Sequence, residues 1–146
     1  MRGKSIAKNS GKIFIGHGRS TIWKDLKDFL RDTLDLEWEE FNRESVAGMS
    51  TKERLEAMLE SSCFAFLVLT AEDEQADGSI RARENVVHEA GLFQGRFGFE
   101  RAIIMLDEGC TEFSNIHGIG QIRFPKEKLL EKSEEIRAVL GREDLI

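Results

Sequence analysis

The chain has 146 residues, 40% hydrophobic and 33% charged with a single proline, which fits one ordered globular domain with one core. Its net charge of −6 argues against a nucleic-acid-binding surface, which is normally basic, although a local group of arginines can still hold a small anion. No apolar run approaches the ~20 residues that span a bilayer, and the basic start MRGKSIAKNSGK lacks the apolar stretch of a secretory signal. Cys63 sits in an apolar run and Cys110 in a loop, so the two read as reduced thiols of a cytosolic protein rather than a disulfide.

Residues 1–11 read as a polar, frayed tail, and residues 12–146 as a single domain. Residues 12–16 (KIFIG) form a buried first strand. Ser20 or Thr21 can cap a helix whose apolar face is Ile22, Leu26, Phe29, Leu30 and Thr33. Residues 36–41 alternate as a second strand, and residues 42–50 have loop character. Ser50 or Thr51 then caps a helix carrying Leu55, Met58 and Leu59. Residues 63–70 (CFAFLVLT) are apolar on both faces, as a central parallel strand requires.

A polar loop over 71–82 leads into a third helix, and residues 101–106 (RAIIML) make a fourth strand. A loop through Gly109, Ser114 and Gly118 precedes a weaker strand at 121–124. Pro125 is expected in the first turn of a last helix that turns Leu129, Ser133, Ile136 and Leu140 inward. This alternation predicts an α/β fold: a five-stranded parallel sheet of flavodoxin-like order 2-1-3-4-5 with helices on both faces. In such a sheet a ligand is expected at the carboxyl ends of strands one and three.

Three segments carry candidate chemistry. Gly16, His17, Gly18 and Arg19 join the first strand to the first helix, where an open α/β sheet offers backbone amides to a phosphate. The third glycine of a dinucleotide fingerprint would fall at Thr21, so the segment is either a phosphate-contacting loop or a plain tight turn. Arg81, Arg83 and Glu84 open the third helix, where cations oppose the macrodipole; an arginine there serves a ligand or an acidic neighbour, or ends a solvated loop. Within RARENVVHEAGLFQG, Val86, Ala90, Phe93 and Phe97 share one apolar face, and Asn85, Glu89 and Arg96 lie on a neighbouring one. From spacing alone Glu89 is either a solvated helix residue or a catalytic acid. His88 reads as a surface or interface histidine. Its pairing with Glu89 is not a zinc-protease motif, because Leu92 stands where the second histidine belongs, and no metal site is expected.

Taken together, KIFIGHGRS, FNRESVAGMSTKERLEAMLE, FAFLVLTAEDE and RARENVVHEAGLFQGRFGFERAIIML resemble the bacterial TIR-like nucleotide-binding family. That branch includes the TIR parts of bacterial STING and of cyclic-nucleotide-activated antiphage effectors. The resemblance runs over about residues 12–125, and the segment around Glu89 is its most specific part. It implies a flavodoxin-like TIR fold and cleavage of NAD+ at the nicotinamide–ribose bond, with NAD+ as substrate and no further cofactor.

The resemblance further implies Glu89 as the catalytic glutamate of the third helix. Many TIR enzymes carry a tryptophan one turn earlier; here Asn85 stands there. Gly16, His17, Gly18 and Arg19 correspond to the nucleotide-contacting loop, with Arg19 or Arg83 on phosphate and Asn85 toward ribose or base. Residues 42–50 correspond to the BB loop that closes or assembles the site. Expected partners are other copies through TIR–TIR contacts and a fused or separate sensor domain, with neither nucleic acid nor membrane. The competing readings are a non-catalytic TIR assembly module and a nucleoside 2-deoxyribosyltransferase-like enzyme.

Overall fold

The computed structural model describes residues 11–41, 50–111 and 121–146. Its centre is β3 (Ser62–Leu69), buried along its whole length, as an apolar strand with neighbours on both edges and both faces should be. On one side lies β1 (Lys12–His17), followed by β2 (Trp38–Glu40); on the other lie β6 (Ala102–Asp107) and then β7 (Ile122–Phe124). All four pairings are parallel, in the order β2-β1-β3-β6-β7. With the two-residue strands β4 (Asp73–Glu74) and β5 (Ile80–Arg81) set aside, this is the expected order 2-1-3-4-5.

Side-chain alternation along the strands divides the core into two layers. Ile13, Ile15, Phe64, Phe66, Ile103 and Met105 pack against Trp23, Leu26 and Leu30 of the first helix, Ile136 and Leu140 of the last, and Leu129 just before it. Phe14, Ala65, Leu67, Ala102 and Ile104 face the other way, onto Val86, Ala90 and Phe93 of α3 (Glu84–Phe97) and Leu55, Met58 and Leu59 of α2 (Thr51–Ser61). α2 starts at an N-cap: the Glu53 amide donates to Ser50 Oγ at 3.1 Å, and the Ser50 hydroxyl in turn donates to the Glu53 carboxylate at 3.0 Å.

Four elements depart from the expected outline. The first helix is α1 (Trp23–Asp28) continued by a π-helical turn (Phe29–Thr33); it buries Leu26 and Leu30 but leaves Thr33 exposed. The second strand is only three residues long. The polar loop before α3 folds into an antiparallel hairpin, β4 (Asp73–Glu74) and β5 (Ile80–Arg81), which two-residue strands cannot announce by periodicity.

Pro125 does not begin the last helix. Glu127 takes a left-handed φ of 62°, so the chain turns before a 3₁₀ segment (Leu129–Lys132) leads into α4 (Ser133–Arg142). Ser133 is half-buried rather than inward. Residues 42–49, with Ser114 and Gly118 of the later loop, lie outside the described residues, and so does the tail before Gly11.

Candidate functional site

α3 is docked by aromatic packing. Phe93 stacks on Phe14 of β1 with centroids 4.1 Å apart and an interplanar angle of 15°, and Phe97 tilts against Phe93 at 5.5 Å. One turn before Phe93, Glu89 faces the end of β1. Residues four apart on an α-helix are offset by about 40°. Asn85 therefore stays exposed while Glu89 rotates toward the seam of Val86, Ala90 and Phe93, and Glu89 is 3% exposed. The solvated reading of this glutamate is excluded. Burying a carboxylate costs free energy that an apolar residue here would avoid, which makes the position a functional candidate.

Gly16 creates the room. It follows Phe14 on the α3-facing side of β1, and a Cβ there would stand 3.1 Å from Glu89 Oε1 and 2.6 Å from Leu67 Cδ1. The bare Cα lets the carboxylate close on the strand end. On its other side Glu89 opens into a cavity of about 760 Å³ between α2 and α3, within the range of small-molecule sites. Leu55 and Leu59 of α2 and Phe41 after β2 supply apolar wall; Lys52, Glu56, Asn85 and His88 supply polar groups. The cavity thus joins two expected residues, Glu89 and Asn85, to α2 residues that the sequence presents only as a helix seam. His88, read as a surface histidine, is exposed and lines the same cavity.

The other expected residues are held elsewhere. Alternation sends His17 to the opposite face of β1 from Gly16. Its ring lies flat on Trp23, at 4.1 Å and 7°, with Nδ1 2.8 Å from the Gly18 carbonyl and Nε2 bonded to the Glu40 carboxylate. Gly18 backs onto Glu72: a Cβ on it would lie 2.6 Å from both carboxylate oxygens. The amides of Arg19 and Ser20 donate to that carboxylate at 2.9 and 3.2 Å, and the Thr70 hydroxyl donates to it as well.

Burial pushes the Glu72 carboxyl up. The hydrogen bonds from Thr70, Arg19 and Ser20, with the Arg19 charge, outweigh it and hold the group below the ordinary glutamate value. The mainly exposed Arg19 guanidinium stands 3.8 Å from Asp73. Arg83 is the N-cap of α3, with no side-chain capping bond. Among the described residues no cluster suited to a metal ion occurs, and no helix is long and apolar enough to cross a membrane.

A parallel sheet in this order, wound on both faces, with an acid of the third helix against the end of β1, defines a flavodoxin-like α/β domain of the kind expected for a TIR domain. Residues 12–126 match the model of the family described as "CAP12/Pycsar effector protein, TIR domain", and the chain belongs to that family. It is a bacterial antiphage family, which gives this domain a role in antiphage defence.

Proposed function

We propose that this TIR domain cleaves NAD+ at the nicotinamide–ribose bond, with Glu89 as the essential acid. The carrying observation is a glutamate 3% exposed in the wall of a large cavity at the carboxyl edge of the sheet. A carboxylate turned toward that cavity favours an enzyme over an assembly module, which has no need of an acid there.

The chemistry asks little of the protein beyond that group. The nicotinamide of NAD+ is a cationic leaving group that departs neutral, so it needs no proton. As the C1′–N bond breaks, the positive charge passes to the ribose, whose oxocarbenium character a nearby carboxylate stabilises. Water then attacks C1′ and loses a proton, giving ADP-ribose, nicotinamide and H⁺. Glu89 serves as the electrostatic partner of that charge and holds the ribose hydroxyls, while Asn85, on the same cavity wall, contacts ribose or base. Arg19 or Arg83 serves the phosphates. Gly16 contributes by its lack of a side chain, and His17 by fixing the loop from the opposite face.

Clustering through TIR–TIR contacts, driven by a sensor, is the proposed activator. The test is nicotinamide release by the domain fused to an oligomerising partner. The fusion is expected to turn over NAD+, and its Glu89→Gln form to be slower by roughly two to three orders of magnitude, the usual cost of losing one preorganised electrostatic group. A folded Gln variant as fast as the parent refutes the role of Glu89. Release of free base from deoxyadenosine in place of nicotinamide from NAD+ would favour the deoxyribosyltransferase-like reading.

A further inference from the structure

The turn between β1 and α1 already carries an oxyanion, and it is the protein's own. Glu72 lies just beyond β3 and reaches across a sequence separation of 53 residues to accept the Arg19 amide, with the Ser20 amide on its second oxygen. Three features make this more than a chance surface contact. The Thr70 hydroxyl donates to the same carboxylate. Gly18 leaves it the space in which any Cβ would collide with both oxygens. Its ionised form is favoured despite partial burial. Next to it, Asp73 faces the Arg19 guanidinium at 3.8 Å. The start of the β4–β5 hairpin thus offers carboxylates to both the backbone and the side chain of Arg19.

We propose that Glu72 is an autoinhibitory latch, an internal carboxylate that takes the loop groups a ligand diphosphate would use and must leave before such a ligand engages them. The identity of that ligand rests on the NAD-cleaving reading; the contact does not. A carboxylate and a phosphoryl group compete for the same donors, because both are anions that accept charge-assisted bonds from backbone amides and guanidinium. With Glu72 in place those donors are satisfied, and the affinity of the loop for an incoming anion falls by the fraction of time the latch is shut.

The latch is tested on the full chain with inorganic pyrophosphate as probe, at constant ionic strength, by following the backbone amide resonances of Arg19 and Ser20. In Glu72→Ala these resonances are expected to shift with an affinity roughly tenfold or more above that of the wild type. Glu72→Gln, which keeps a neutral acceptor and the packing, should fall between the two. Should the Ala variant not fold, the Gln variant decides: tighter binding than wild type upholds the latch, and equal or weaker binding overturns it. Equal affinity in wild type and Ala variant, or shifts that spare Arg19 and Ser20, would also overturn it. No arm of this titration uses NAD+. A failure of the NAD-cleaving reading, seen as an unaffected Glu89→Gln enzyme, is therefore distinct from a failure of the latch.

Discussion

A methyl group on Gly16 would meet Leu67 Cδ1 at 2.6 Å and Glu89 Oε1 at 3.1 Å, in a packed layer that cannot yield freely. Gly16→Ala is therefore expected to cost about 1–3 kcal/mol of stability, as overpacking does, and to push the Glu89 carboxylate off the strand end. Urea unfolding reads the first effect and nicotinamide release the second. Glu72 makes a different residue-scale prediction. Its native pKa lies below its unfolded value, so its contribution is fully present above the unfolded pKa and is lost as pH falls through the native one. The difference in melting temperature between wild type and Glu72→Gln should thus be largest near neutral pH and vanish in acid. A constant difference across that range would contradict the assignment. Cys110 is simpler: burial pushes its thiol up to about 11, so alkylation at neutral pH should be slow in the native protein and rapid on unfolding.

At the scale of elements, the main strands and helices were legible in the sequence because their apolar residues repeat at strand or helix period over several turns. The seam Val86, Ala90 and Phe93 is the clearest case, while β3 was legible as an unbroken apolar run. Short or mixed elements were not legible. The β4–β5 hairpin is too brief to show a period, and the turn at Glu127 comes from backbone conformation that the residue type does not suggest. The site was legible in part. Glu89 could be found from its family motif, but its burial depends on a 40° offset and on the space left by Gly16, neither of which spacing alone decides. Leu55 and Leu59 look the same in sequence whether they line a cavity or fill a core. Glu72 has no local signal at all, since its partners lie on a distant loop.

The last helix is tied on by a contact of the same long-range kind. Arg101, at the start of β6, donates to Glu143 Oε1 at 3.0 Å and to the Cys63 carbonyl at 3.1 Å, with Arg101 and Glu143 only 9% and 6% exposed. Removing one partner leaves a buried charge poorly compensated. Glu143→Ala should cost about 3–5 kcal/mol in chemical denaturation, and a change well under that would place the pair in effective contact with water.

For the whole molecule, the sheet does two jobs at opposite ends. Its amino edge carries the Arg101–Glu143 tie of α4, while its carboxyl edge brings Gly16, Glu89 and the α2–α3 cavity together. The structural tie and the proposed chemistry thus lie at opposite ends of the strands, with the candidate site at the edge where open α/β sheets bind ligands. The family places this domain in antiphage defence, and the proposed NAD-cleaving activity would have to be held silent between infections. The proposed clustering and the Glu72 latch are two brakes of different kind, one between molecules and one within.

The proposed cleavage of NAD+ rests on the buried acid of α3. Its most direct test is nicotinamide release by the forcibly oligomerised domain, wild type against Glu89→Gln, with circular dichroism and melting temperature showing both forms folded. Turnover is expected in the wild type, and a loss of roughly two to three orders of magnitude in the variant. Equal rates in the two folded proteins, or no turnover by the clustered wild type, would contradict it.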